Sequence, residues 1–274
     1  MNERDRELEA FSKFIGALEP WLGEVVLIGG WAHRLYRHHP LARRLAYLPL
    51  ITLDGDVAVP PKLKGRKLSV RKRLLDAGFV EEFVGEDWPP ATHYHYGKGG
   101  GFYAEFLSPL VGSEYDRRGK RKATQEVGGI SSQLLRYIEI LMISPWKVQL
   151  GRENGPFSPK RKVQIANPTS FLAQKILIHE DRVYKDRAKD LLYIHDTIEV
   201  FSESLEELRN IFQTDVAPKL HPRRRAELEG AADKLFGKVD DTIREASRMA
   251  AGRKLSPERL AESSRAGLGE IFRS

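Results

Sequence analysis

Asp54 and Asp56 stand two residues apart in the stretch ITLDGDVAV, residues 51–59. On a β-strand that spacing sends both carboxylates to one face. Two like charges held so close repel, and burying them without a partner is costly. A divalent cation resolves the conflict. Paired oxygen ligands suit Mg2+, which takes one or two protein carboxylates together with phosphate oxygens of a substrate. Phosphoryl chemistry on two metal ions calls for a further carboxylate nearby, and Glu105, set among apolar residues in YAEFL, is the candidate. Upstream, LIGGWAHRLY (27–36) reads as an apolar strand that stops at Gly29 and Gly30 and passes at once into a helix. Such a junction turns the backbone sharply and leaves the unpaired N–H groups of the first helical turn facing outwards, where an anion can sit. Each feature also has a plain alternative: a solvent-facing strand edge for the aspartates, the outer face of an amphipathic strand for Glu105, a tight turn for the glycines. The residue types leave both readings open.

A second charged set lies in FLAQKILIHEDRVYKDRAKDLLYI (171–194). Lys175, Arg182 and Asp186 are spaced seven and four apart, so on one continuous helix they would share a face, with Asp190 a further turn along. A Lys–Asp pair of this kind can neutralise phosphate charge, and it can equally be an ordinary salt-bridged helix surface. Four histidines invite a metal reading that their surroundings do not favour. His38 and His39 in RHHP are expected on the surface, and His93 and His95 in THYHY on a strand with no matching ligands close by. Trp31 is expected in the core.

The elements that must position these groups follow from periodicity. Apolar residues at Leu8, Phe11, Phe14, Ile15 and Leu18 give a helix over 4–19, ahead of a strand at 24–28 and a helix from Trp31 to His38. Strand 51–59 ends at Pro60-Pro61, and a helix over 67–77 is closed by Gly78. FVEEFV and THYHY read as antiparallel strands, GKGGG (97–101) as a hairpin loop rather than a phosphate-binding P-loop, and FYAEFLSPL as the returning strand. Residues 117–129 read as an exposed polar loop. From Thr169 onwards the pattern is helical, which predicts an α+β chain: a mixed sheet with flanking helices in 1–165, then an α-helical domain in 166–274.

The 274 residues carry 41% hydrophobic and 30% charged side chains, globular values with no stretch long and apolar enough to span a membrane. There is no cysteine, which excludes disulfides, thiolate metal sites and cysteine nucleophiles. MNERDRELEAFSKF is charged and amphipathic, without the apolar core of a signal peptide, and the expected location is cytoplasmic. The net charge of +7 is gathered in clusters such as 62–73, 117–122 and 223–225, a pattern that suits a polyanionic partner or a solvated basic surface.

The order GGWAHRLY, TLDGDVAV, AEF resembles the core of the DNA polymerase β-like nucleotidyltransferases. The resemblance implies that Gly29 and Gly30 hold the triphosphate of an NTP and that Asp54, Asp56 and Glu105 bind Mg2+ or Mn2+. Thr52 fits the Thr-x-Asp-x-Asp form of many members. Three departures stand out: Gly30 where a serine is frequent, Gly55 where an apolar residue normally lies between the acids, and a longer gap before Thr52. The segment 171–194 is similar to that of the AbiEii-like abortive-infection nucleotidyltransferase toxins. That likeness implies that Lys175 and Arg182 bind the nucleotide, with either Asp186 or Asp190 as the partner of Lys175, and that the helical domain closes over the active-site cleft. The activity implied is transfer of an NMP from an NTP to an acceptor hydroxyl with loss of pyrophosphate. The acceptor would be RNA (a tRNA 3′ end), a protein, or a small molecule, and an antitoxin would be a possible partner. The alternatives are a catalytically inactive nucleotide- or nucleic-acid-binding module on the same scaffold, or a structural protein of a defence system.

Overall fold

A computed structural model describes residues 3–85, 89–97, 101–250 and 252–273. The chain divides into two compact units, one made of 1–38 and 50–166, the other of 39–49 and 167–274.

The first unit opens with helix α1 (Glu3–Ala17), whose Phe11, Phe14 and Ile15 are fully buried. Strand β1 (Val26–Leu27) leads into helix α2 (Gly29–Leu35), so the two glycines form the first turn of the helix rather than a link before it. Strand β2 (Asp54–Ala58) is shorter than the span read from sequence. Helix α3 (Val70–Asp76) begins at Ser69, whose hydroxyl accepts from the Lys72 N–H, an N-cap that satisfies one orphan donor of the first turn. Strands β3 (Val80–Val84), β4 (Ala91–His95) and β5 (Tyr103–Pro109) follow. The β4–β5 pairing is antiparallel, with His95 opposite Tyr103; residues 98–100 of the expected GKGGG loop lie outside the described residues. The polar stretch at 117–129 is not simply a loop. Its end forms strand β6 (Thr124–Val127), which turns at Gly128-Gly129 into β7 (Ile130–Leu135). Both turn glycines have positive φ, 61° and 80°, a region costly for other residues, so the polar composition there belongs to a hairpin. Helix α4 (Ile138–Leu141) and the antiparallel pair β8 (Trp146–Leu150) and β9 (Arg161–Ile165) complete the unit.

The strands form one mixed sheet in the order β3-β4-β5-β2-β1-β9-β8, with β7 joined to the far end of β5 and β6 to β7. Its centre is the parallel pair β2–β5, flanked by antiparallel β1. One face of that pair is closed by an aromatic cluster. Trp31 stacks on Phe11 at 3.6 Å between ring centroids, and Phe102 and Phe14 pack against them. Trp31 is thus a core residue, 1% exposed. Aromatic burial on this scale dominates core energetics and fixes α1 and α2 against the strands that carry the acids.

The second unit is helical: α5 (Pro168–Ile178), α6 (Tyr184–Val200), α7 (Leu205–Ile211), α8 (Pro222–Glu229), α9 (Ala231–Phe236), α10 (Asp241–Met249) and α11 (Pro257–Ile271). Asn167 caps α5 by accepting from the Ser170 N–H at 2.9 Å. Helix α6 is the axis, buried from Ala188 to Ile198 on most of its surface and packed by α10 and α11. Residues 39–49 belong here because Arg43 donates its N–H to the Val200 carbonyl and its guanidinium to Glu199. Among the described residues no helix is long and apolar enough to cross a membrane.

Candidate active site

Strand alternation places the acids as their spacing predicts. In β2, Asp54 and Asp56 alternate with buried Gly55 and Val57, and both are partly exposed. The parallel register sets Asp54 opposite Tyr103 and Asp56 opposite Glu105. Asp54, Asp56 and Glu105 therefore share one face of two adjacent strands, on the side away from the aromatic cluster. Gly55 points into that cluster. A side chain there would come within 2.5 Å of the Phe102 ring, so the phenylalanine supplies the apolar bulk that other sequences place between the acids.

The glycines are required by close approach. Gly29 has φ +60°, and a Cβ on it would overlap the Asp56 carboxylate oxygen Oδ2. The first residue of α2 is thereby pressed directly against the second aspartate. Ile28 donates its N–H to the Asp56 carbonyl at 3.0 Å, which locks this approach. A Cβ on Gly30 would lie 2.6 Å from Thr52 Oγ1. The buried threonine fills the space a serine at position 30 would need. Behind both, Glu7 of α1 is 3% exposed; it pairs with Arg34 of α2 at 2.9 Å and accepts from the Thr52 N–H at 3.4 Å. One buried carboxylate thus ties α1, α2 and the entry to β2 together.

Three neighbours of the acids escape the sequence reading. Glu105 Oε2 accepts from Gln133 Nε2 at 3.2 Å and lies 3.3 Å from His93 Nε2. His93 stacks on Tyr103 with ring centroids 5.0 Å apart. His95 pairs with Glu82 at 2.6 Å. The expectation that His93 and His95 have no carboxylates nearby is therefore incorrect: the β4–β5 pairing folds them onto the acidic face. The hydrogen bond to Glu105 raises the His93 pKa above its usual value. Burial, then the charges of Asp54, Glu105 and Asp56, push the Tyr103 phenol well up, which registers all three carboxylates around one ring. A signal for His93 was present in the sequence. Period-two alternation puts 93 and 95 on one face, and a short return to Tyr103 and Glu105 makes that face the acidic one.

Among the described residues no group of three or more His, Asp and Glu side chains is drawn tightly enough together to hold a metal ion as it stands. Like charges with no cation between them favour separation, and Glu105 is turned towards His93 and Gln133. The donor chemistry nonetheless fits a hard divalent cation: carboxylates on one face of adjacent strands, two of them partners in register or two residues apart.

In the helical unit the expectation of one continuous helix through Lys175, Arg182 and Asp186 does not hold. Helix α5 ends at Ile178, a 3-10 turn covers His179–Asp181, and α6 starts at Tyr184. The partner of Lys175 is Asp190, at 2.6 Å. Asp190 is 1% exposed and Lys175 8%, with the Phe171 and Tyr193 rings on either side of the ammonium. Arg182 lies 3.5 Å from Asp190 and 3.7 Å from Asp186. The set is a charge-balanced cluster whose accessible members are Arg182 and Asp186.

A family model described as nucleotidyltransferase matches residues 6–216. The chain belongs to this nucleotidyltransferase family. The matched span contains every candidate residue from Gly29 to Asp190 and stops before α8. No curated protein matches the chain.

Proposed function

We propose that the chain transfers a nucleoside monophosphate from an NTP to an acceptor hydroxyl, with release of pyrophosphate, and that it is closest to the AbiEii-like toxins within its superfamily. The observation that carries the reading is the half-exposed acidic face, with Asp56 and Glu105 in register across β2 and β5 and Gly29 pressed against Asp56. Such a face has no stabilising reason to exist, because its charges repel, whereas a triphosphate reaction uses them. In this proposal Asp54 and Asp56, with Glu105, would hold Mg2+ or Mn2+, which when bound would neutralise charge on the phosphates. The side-chain-free surface at Gly29 and Gly30 leaves room for phosphate beside Asp56. The acceptor oxygen forms a bond to the α-phosphorus as the bond to the β-phosphate oxygen breaks. Glu105 receives the hydroxyl proton or orients the hydroxyl, held by Gln133 and His93. Arg182, the accessible cation of the helical set, is the residue there suited to phosphate; Lys175 and Asp190 position it from beneath.

The basic clusters and the family support RNA, tRNA in particular, as the acceptor ahead of a protein, in a cytoplasmic setting where an antitoxin would restrain the enzyme. The test is incubation with α-labelled and, separately, γ-labelled NTPs, Mg2+ and total RNA. Label should enter RNA from the α-position only. Label from the γ-position in any product would overturn the proposal in favour of kinase chemistry, and α-label in protein alone would move the acceptor.

A further inference from the structure

A cavity of about 280 Å3 lies wholly within the helical unit, between residues 46–47, α6 and the 252–259 segment. Its back wall is built around Asp196, which is fully buried. Arg253 holds both carboxylate oxygens, at 2.6 and 2.8 Å, and Tyr47 donates to Oδ1 at 3.3 Å. The Arg253 guanidinium lies 3.8 Å from the Tyr47 ring centroid. His195 Nδ1 is 3.1 Å from the same Oδ1. A carboxylate only accepts, so Nδ1 carries the proton and the other ring nitrogen keeps its lone pair. That nitrogen, Nε2, is buried on a side chain 5% exposed and has no hydrogen-bond partner, although His195 lines the cavity. Buried polar atoms are paired in the great majority of cases, so this one calls for a ligand.

The charges around the opening say which kind. Arg253 is spent on Asp196, and Glu199 on Arg43 at 2.8 Å. Lys254 and Arg259 also line the cavity, and neither side chain has a partner among the described residues. The unbalanced charge is positive. A ligand must therefore carry anionic oxygens for Lys254 and Arg259 and an O–H donor for the acceptor Nε2. A carboxylate or sulfate lacks the donor at neutral pH. A hydrogen phosphate has both, since its second ionisation falls near neutrality.

We infer that the His195 cavity binds a phosphate group, free or at the end of a small ester, independently of the acidic sheet face. The segment that supplies Lys254 and Arg259 lies beyond the residues matched by the family model, so the site is a feature of this chain's own C-terminal part.

The experiment is NMR of histidine-labelled full-length protein in EDTA, titrated with inorganic phosphate at constant ionic strength against chloride. The imidazole signal missing in His195→Gln should shift saturably, in the millimolar range or tighter. Arg259→Ala, at an exposed position that leaves the fold intact, should weaken the response about tenfold, the loss expected for one charged hydrogen bond. Asp54→Asn should titrate like the wild type. A linear shift, a response at another histidine, or an Arg259→Ala curve matching wild type would overturn the inference. Loss of the response in Asp54→Asn would overturn it too, by assigning the phosphate to the sheet face.

Discussion

Two charged clusters in this protein have opposite constructions. On the β2–β5 face, Asp54, Asp56 and Glu105 are partly exposed and of one sign. In the helical unit, Lys175 and Asp190 are buried, opposite in sign and 2.6 Å apart, with Arg182 closing the balance. The first arrangement raises the energy of the ligand-free fold, and the second satisfies itself. A cluster that is unsatisfied alone is built to be completed by something that binds. One that is satisfied alone holds chain to chain, here α5 to α6 across the break at 179–183. Charge and spacing look alike in the sequence for both, and burial separates them.

If this contrast is right, the largest effect on turnover comes from the sheet. Asp54→Asn should lower nucleotidyl transfer about a thousandfold, the loss of roughly 4 kcal/mol of transition-state stabilisation, while its urea midpoint in EDTA stays level or rises slightly from relieved repulsion. A large fall in the midpoint would make Asp54 a structural residue. The converse holds for Lys175→Ala. It leaves Asp190 buried beside a less intimate arginine and should cost about 3–5 kcal/mol of stability. The double change Lys175→Met, Asp190→Leu should recover most of that loss, and failure to recover would mean that the ammonium serves a ligand rather than its partner.

Gly29→Ala sharpens the contrast within the sheet unit. The positive φ costs about 1–2 kcal/mol, and the methyl group must displace the Asp56 carboxylate. Turnover should fall by more than the stability loss explains, as kinetics and melts on one sample would reveal. Gly55→Ala, which meets the Phe102 ring instead, should disturb stability first.

The smallest effect is a pH dependence confined to the helical break. Burial lowers the His179 pKa, helped by Arg187 and Lys234 and opposed by Glu180 and Asp190. The folded state therefore favours the neutral ring. Its contribution is complete above about pH 6.5, the unfolded value, and is lost as pH falls through the depressed folded value. His179→Gln should flatten the urea midpoint over that window, and an unchanged slope would remove His179 from the balance.

The fold class, the acid-bearing strands and the shared face of Asp54 and Asp56 were legible because they rest on local periodicity. The partner of Lys175 was not: spacing along a single helix favoured Asp186 as readily as Asp190, and the helix breaks at His179. Glu7 also escaped notice, since a carboxylate in an amphipathic helix looks solvated until Arg34 and the Thr52 N–H close over it. His93 needed strand pairing, a non-local fact, to reach Glu105. The β6–β7 hairpin was concealed by its polar composition, and Gly128 and Gly129 were its only strong local mark.

The central claim, that the acidic face carries the chemistry and not the stability, is tested most directly by pyrophosphate release from Asp56→Asn, normalised to the folded fraction of the same sample. The account predicts a folded protein with turnover reduced about a thousandfold. A folded Asp56→Asn within tenfold of wild-type turnover would contradict it.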